Sequence, residues 1–236
     1  EHFKDLALKY QAGLEPLRYR TDDHDIGFQL MCSFGNCLRI TKDSLCVPVL
    51  VDGANSLATR FDPEVGCTRS WDTKKYTFPV IIDNMMNLEL LFWVAENADR
   101  PDLYAIAHRH AEVTMKHQFR EDYSTYHVMV FDPSDGHFIS GHTHQGWKDE
   151  STWARGQAWA IYGFTMAYRF TKDERFLDTA VKAADFFLNN LPEDMVPFWD
   201  LEFTDGDDQP RDSSSASIAA CGMLEMIKNM SEEEGA

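Results

Sequence analysis

The chain has 236 residues, 44% of them hydrophobic and 26% charged, with a formal net charge of −17 at pH 7. That composition fits a globular protein with apolar material for one large core or two small ones. So acidic a chain, without a basic stripe, does not track a nucleic-acid backbone, and no run of 18 apolar residues is free enough of charge to span a membrane.

Residues 1–11 and roughly 44–60 read as weakly amphipathic helices, the second carrying Pro48 and Gly53. Between them, HDIGFQLMCSFGNCLRI (24–40) has no charge from Asp25 to Arg39. Residues 66–78 are a polar loop with Trp71 embedded. The stretch PVIIDNMMNLELLFWVAEN (79–97) predicts a helix apolar on nearly every side, with Asp83 near its start and Glu89 weakening the pattern. Residues 101–119 are amphipathic, with Pro101 suited to a first turn. Residues 124–147 alternate polar and apolar around Asp135-Gly136 and predict a β-hairpin. Charge-free text returns at 151–170, where only Arg155 lies between Glu150 and Arg169. An amphipathic stretch follows at 174–190, with Asp178, Lys182, Asp185 and Asn189 opposite Phe176, Ala180, Ala184, Phe187 and Leu188. A polar loop with Trp199 (197–215) leads into 213–226, which has no charge between Asp212 and Glu225.

The two sorts of helix alternate, and the alternation repeats. Residues 38–57 resemble 168–187: Thr41-Lys42-Asp43 matches Thr171-Lys172-Asp173, and Ala54 matches Ala184. Helices without charge are buried all round, whereas amphipathic ones bury one face. Such units must stack, which predicts an all-α fold: an α/α toroid with an apolar inner ring and an amphipathic outer ring. A superhelical solenoid would not starve its helices of charge so evenly. The pattern gives about four inner–outer pairs in a single domain over 1–236. In a toroid all inner helices run the same way, so the charges at their starts, Asp25, Asp83, Arg155 and Asp212, should meet at one mouth, where helix N-termini favour anions.

The five cysteines, Cys32, Cys37, Cys46, Cys67 and Cys221, are odd in number and irregularly spaced, and read as buried free thiols of a reducing compartment. They point to the cytoplasm, although a periplasmic form with its leader removed would look the same; the first residues carry no signal-peptide core.

Each candidate site residue also has a plain reading. Asp25 and Asp83 suit helix caps, Arg155 suits a clamp on a loop carboxylate, and Trp159 suits the core. Against this, paired carboxylates are the equipment of glycoside cleavage. Trp71, Trp153 and Trp159 offer faces to sugar rings; Gln145, Gln157, His24 and His127 offer partners to hydroxyls; Arg155 offers an anchor for an anionic sugar. His127, His137, His142 and His144 make no HExxH or other zinc spacing, so no metal is expected. Walker A, GxGxxG and GxSxG motifs are absent, and no cofactor is expected.

Taken together, HDIGF (24–28), SWD (70–72), PVIIDNMMNLELL (79–91), THQG (143–146), ARGQAWAIYGF (154–164) and RDSSSASIAACGMLEM (211–226) resemble the unsaturated glucuronyl hydrolase family over essentially the whole chain. The resemblance implies an (α/α)6 barrel that takes unsaturated uronic-acid-containing oligosaccharides made by polysaccharide lyases. Such enzymes release the 4,5-unsaturated sugar by hydrating its double bond. It implies Asp83 as general acid and base, Asp25 as the carboxylate that stabilises the cation, and a pocket formed by His24, Trp71, His127, Gln145, Arg155 and Trp159. Burial and a nearby carboxylate would raise the pKa of Asp83, as that role needs. Family members run longer at both ends, so the chain is expected to be a fragment of a longer catalytic domain, with apolar inner faces left open. Two alternatives remain: an unsaturated rhamnogalacturonyl hydrolase with the same barrel and chemistry, and a non-catalytic helical module that binds glycans. Neither nucleic acid nor membrane is expected as a partner.

Overall fold

The computed structural model describes residues 2–234, the last four by backbone alone; Glu1 and residues 235–236 lie outside the described residues. The repeat seen at 41–43 and 171–173 is a turn. At both places a Lys takes left-handed backbone, φ 62° at Lys42 and 54° at Lys172. Its N–H closes on the carbonyl four residues back, Leu38 at 2.9 Å and Tyr168 at 2.8 Å. The next residue then accepts the N–H two positions on: Leu45 to Asp43 and Arg175 to Asp173, both at 3.0 Å. An inner helix stops and an outer helix starts in the opposite direction.

Around these turns the chain lays down α1 (His2–Gln11) and a 3₁₀ segment (Ala12–Tyr19). The first inner helix follows as α2 (Ile26–Leu30), a π-helical turn (Met31–Gly35) and α3 (Asn36–Thr41). Outer and inner helices then alternate: α4 (Cys46–Ala58), α5 (Asn84–Asn97), α6 (Pro101–His117), α7 (Ala154–Thr171), α8 (Glu174–Asn189) and α9 (Ser213–Glu234). The inner helices pack in succession, α2 on α5, α5 on α7 and α7 on α9, while α4, α6 and α8 back onto them. This is the predicted α/α toroid, present as an arc. The last inner helix is longer than the 213–226 expected from its charge-free text.

Two short ribbons interrupt the helices: β1 (Phe61–Asp62) with β2 (Cys67–Thr68), and an antiparallel sheet in the order β3 (Phe78–Ile81), β4 (Val128–Phe131), β5 (Phe138–His142). β4 and β5 are the expected hairpin. β3 corrects the expectation of a helix from residue 79. Pro79 lacks an N–H for helical bonding, Val80, Ile81 and Ile82 are β-branched, and β4 supplies an edge to pair with. The helix therefore starts at Asn84, and Asp83 stands immediately before it.

Burial around the arc is uneven. α5 and α7 have an inner neighbour on each side, and most of their residues are buried. Among the described residues the flanking inner helices have an inner neighbour on one side only, and Ile40 of α3 and Leu224, Ile227 and Met230 of α9 are exposed. The expectation that every charge-free helix is buried all round fails there. The concave face holds a groove of about 1210 Å³ whose walls include Cys32 and Cys221. These two thiols are exposed, and only Cys37, Cys46 and Cys67 are buried as expected. No helix among the described residues is long and apolar enough to cross a membrane.

Candidate active site

The register of β3 against β4 builds the centre of the site. Ile81 stands opposite Val128, and the N–H of Ile82 donates to the His127 carbonyl at 3.1 Å, one step past the end of the ladder. The residues that follow one strand and precede the other thus meet: Asp83 Oδ2 lies 3.7 Å from His127 Nε2. Ser70 and Asn84 fix this corner from below. The Ser70 hydroxyl accepts from the Ile81 N–H (2.8 Å) and donates to Asn84 Oδ1 (2.9 Å), and Asn84 Nδ2 donates to the Thr68 carbonyl (2.8 Å).

Neither Asp25 nor Asp83 makes a side-chain capping bond, although each directly precedes a helix. The plain capping reading fails for both. The Asp83 side chain is 20% exposed and that of His127 1%. Asp83 Oδ2 and His127 Nε2 are sealed from solvent, and neither has a hydrogen-bond partner among the described residues. Burial pushes the Asp83 carboxyl up to about 7, and the charge of Asp25 adds to the rise; Arg155 and a donor from Trp159 pull the other way. Burial likewise pushes His127 down to about 3, helped by His144, Arg155 and His24. Its Nδ1 accepts the backbone N–H groups of His144 and Gln145, each at 3.1 Å. His127 is therefore a neutral ring, while Asp83 exchanges a proton near neutrality.

Both carboxylates open onto one cavity of about 280 Å³, whose walls also include Gln145, Trp153, Arg155, Trp159 and Asn87. Asp25 is the more open of the pair, with its side chain 47% exposed and its Oδ1 3.4 Å from His24 Nδ1. His24, Trp71 and His127, expected in the pocket, are not among the residues lining this cavity, although His24 and His127 each adjoin one that lines it. The Trp71 ring lies between His24 (6.2 Å) and His144 (5.6 Å), and the His127 ring is 4.5 Å from that of Trp153. Arg155 sits over the Trp153 ring at 4.6 Å.

Residues 7–230 match the family model described as Glycosyl Hydrolase Family 88. The chain belongs to this family. It is 42% identical over 229 residues to an unsaturated glucuronyl hydrolase of Formosa agariphila, covering 95% of this chain and 57% of that protein. It is 38% identical over 217 residues to an unsaturated chondroitin disaccharide hydrolase of Streptococcus pneumoniae, covering 91% of this chain and 55% of that one. The crystal structure of an unsaturated glucuronyl hydrolase specific for heparin superposes with a TM-score of 0.92 at 43% identity, covering 96% of this chain and 62% of that one. The chain thus spans little more than half the length of the relatives it matches.

Within this Family 88 chain some expected site residues do other work. Gln157 is fully buried and ties the fold together: its Oε1 accepts from the Thr125 N–H (3.0 Å), and its Nε2 donates to the carbonyls of Tyr123 (2.9 Å) and Ala183 (3.0 Å). Trp199 donates its indole N–H to Gln209 (3.1 Å), away from the cavity lining. Arg155 meets its plain reading, since Nη1 bonds Asp212 and Ser214, each at 3.1 Å, and its side chain also lines the cavity. Of the clustered histidines, His137 pairs with Asp135 (2.6 Å) and His142 with Asp149 (3.0 Å). Asp132, Asp135 and His137 bring ligand-type atoms within 4.8 Å of one another in the β4–β5 turn, as do Asp23, His24 and Asp25 before α2. Asn87 is a site residue that sequence reasoning missed. Its Oδ1 accepts the Phe28 N–H (2.7 Å) and its Nδ2 lies 3.4 Å from His24 Nδ1, so it couples α2 to α5. Its signal was the four-residue spacing from Asp83, which puts both on one helix face.

Proposed function

We propose that the cavity between Asp25 and Asp83 is the catalytic site of a glycoside hydrolase. It would release a 4,5-unsaturated uronic acid from the non-reducing end of lyase-made oligosaccharides, by hydration of the vinyl ether. One observation carries the reading: a buried carboxyl held near pKa 7 shares a small cavity with a second, more open carboxylate, and neither caps its helix. In this reading Asp83 enters protonated and gives its proton to C4, leaving a cation shared between C5 and the ring oxygen. Asp25 stabilises that cation. Asp83, now ionised, takes a proton from the water that attacks C5. The C5 hemiketal opens, and the hemiacetal left at C1 breaks down to an aldehyde and the free alcohol of the remaining glycan. Arg155 keeps donors beyond those given to Asp212 and Ser214 and would meet the sugar carboxylate. Trp71, Trp159, Gln145, His24 and His127 would shape the rest of the pocket.

The names of the relatives support glycosaminoglycan-derived substrates, one chondroitin and one heparin. The test is the ultraviolet absorbance of the conjugated double bond, followed with the full-length protein on unsaturated chondroitin, heparin and rhamnogalacturonan disaccharides. The reading expects loss of the band with a glycosaminoglycan substrate, and binding without loss in Asp83→Asn. Turnover confined to the rhamnogalacturonan disaccharide would transfer the site to the alternative hydrolase. Binding with no turnover by the wild type would leave a glycan-binding module.

A further inference from the structure

The loop that carries His144 and Gln145 is held by a carboxylate outside the cavity. Asp200 is fully buried. Its Oδ2 accepts the Trp147 N–H (2.8 Å) and the Ser151 hydroxyl (2.7 Å), and its Oδ1 accepts the Glu202 N–H (3.1 Å). The segment around it is fastened to the entrance of α7: the Ala154 N–H donates to the Trp199 carbonyl (3.1 Å), and the Leu201 N–H to that of Thr152 (2.8 Å). The loop closes on itself where the Gly146 N–H donates to Thr143 Oγ1 (2.7 Å). A Cβ added at Gly146 would lie 2.5 Å from that hydroxyl and 3.0 Å from Asp200 Oδ2. Asp149 Oδ1 holds the start of the loop by accepting the Thr143 N–H (2.8 Å), and Asp200 is the floor of its seat under Gly146 and Trp147.

From that seat two backbone N–H groups, those of His144 and Gln145, point at His127 Nδ1, each at 3.1 Å. A ring nitrogen that accepts hydrogen bonds carries no proton, so the proton of the neutral imidazole is on Nε2. Nε2 is the atom that faces Asp83 Oδ2 across 3.7 Å.

We propose that Asp200 is a positioning residue: by seating the 143–147 loop it fixes the tautomer of His127 and so keeps an N–H donor, not a lone pair, aimed at Asp83. A donor there favours the ionised Asp83 that exists between the two proton transfers. A proton on Nδ1 would turn a lone pair toward Asp83, favour its acid form and impede the second transfer. The effect on rate rests on the reading of Asp83 as acid and base; the tautomer itself does not. The groups around His127 are Asp83, His144, Arg155 and His24, with the Trp153 ring against it, and its Nδ1 is already met by two backbone N–H donors.

The test is nitrogen-15 NMR of the full-length protein labelled at histidine, with the His127 signals assigned by their loss in His127→Gln. The wild type should show an unprotonated Nδ1 and a protonated Nε2, unchanged between pH 5 and 8. Two variants unseat the loop: Asp200→Asn, and Gly146→Ala, which leaves Asp200 in place. Each should show a second His127 tautomer. In each, kcat should fall about tenfold while KM stays within about twofold, and Asp200→Glu should restore part of the loss. A wild-type His127 with its proton on Nδ1 overturns the proposal. So does either variant, folded by circular dichroism, that keeps the wild-type tautomer, whatever its rate. Should Asp200→Asn fail to fold, Gly146→Ala decides alone. A shifted tautomer in a protein whose wild type turns over no unsaturated disaccharide would sink the proposed reaction and leave the loop mechanism standing.

Discussion

Two carboxylates near the start of the same inner helix are treated in opposite ways. Glu89 faces the wide groove and is closed on Arg169 at 2.6 Å, and Arg169 also holds Glu225 at 2.8 Å. Burial alone would raise the Glu225 carboxyl, but the bond and charge of Arg169 outweigh it, and its pKa ends below the usual value. Asp83 faces the small cavity, its Oδ2 is unpaired, and its pKa climbs to about 7. A charge on an inner helix is thus no sign of chemistry by itself; a charge left without its partner marks a candidate. The groove of about 1210 Å³ is the larger space, and the cavity of about 280 Å³ holds the carboxyl pair on which the proposed function rests.

The contrast breaks most sharply on rate. Asp83→Asn should lower kcat by about 10³-fold or more, within the usual range for a lost acid–base group, whereas Glu89→Gln should change it by no more than about twofold. The ultraviolet assay reads both. The wild-type rate should also fall as pH rises through about 7, since Asp83 must start protonated; a rate flat to pH 9 would remove Asp83 as the acid.

The same substitution should act on stability with the opposite sign. The Asp83 pKa rises from 3.8 unfolded to about 7 folded, so the native state keeps a proton that the unfolded chain loses between those values. Stability contributed by this group falls as pH rises from about 4 to 7 and stays low above, by at most about 4 kcal/mol. Asp83→Asn should therefore be more stable than wild type at pH 8 and equal to it near pH 4, as urea unfolding at the two values would show. A variant less stable at pH 8 contradicts the burial penalty.

Smaller effects separate the two faces further. A Cβ at Gly27 would press on the Asn87 carbonyl and sit 2.8 Å from the Asn87 Cα. Gly27→Ala should cost about 1–3 kcal/mol by forcing α2 off α5 and should lower kcat by shifting Asp25 relative to Asp83. Arg169→Ala should cost about 1–2 kcal/mol, discounted because the side chains of the trio are 19–31% exposed, with kcat unchanged. Equal losses of rate in these two variants would erase the distinction between the faces.

What the sequence disclosed follows from how local each feature is. The turns at Lys42 and Lys172 close within a few residues, so their Thr-Lys-Asp letters suffice to reveal them. Helix polarity in a toroid is global but simple, and it brings Asp25, Asp83, Arg155 and Asp212 to one end as expected. β3 was hidden because its partner β4 lies beyond two helices, and an apolar run before a helix reads as more helix until an edge is available. Gln157 was misplaced because a pocket amide and a buried cross-link look alike in sequence; only the Thr125, Tyr123 and Ala183 backbone around it decides. The exposed flanks of α3 and α9 reflect how many neighbours those helices have, which their own composition does not encode.

The pairing of Ile81 with Val128 makes the site all-or-none in evolution and in engineering. Side chains on a strand alternate in direction, so a shift of one residue turns every one of them to the opposite face. Inserting or deleting a residue between Phe78 and Asp83 would therefore put Asp83 out of phase with His127. The Asp132–His137 turn at the other end of the same ribbon is packed too, since a Cβ at Gly136 would press on the Glu64 carbonyl, but a change of length there leaves the β3–β4 phase untouched. A change of length is thus felt at the tip as packing and at the root as phase.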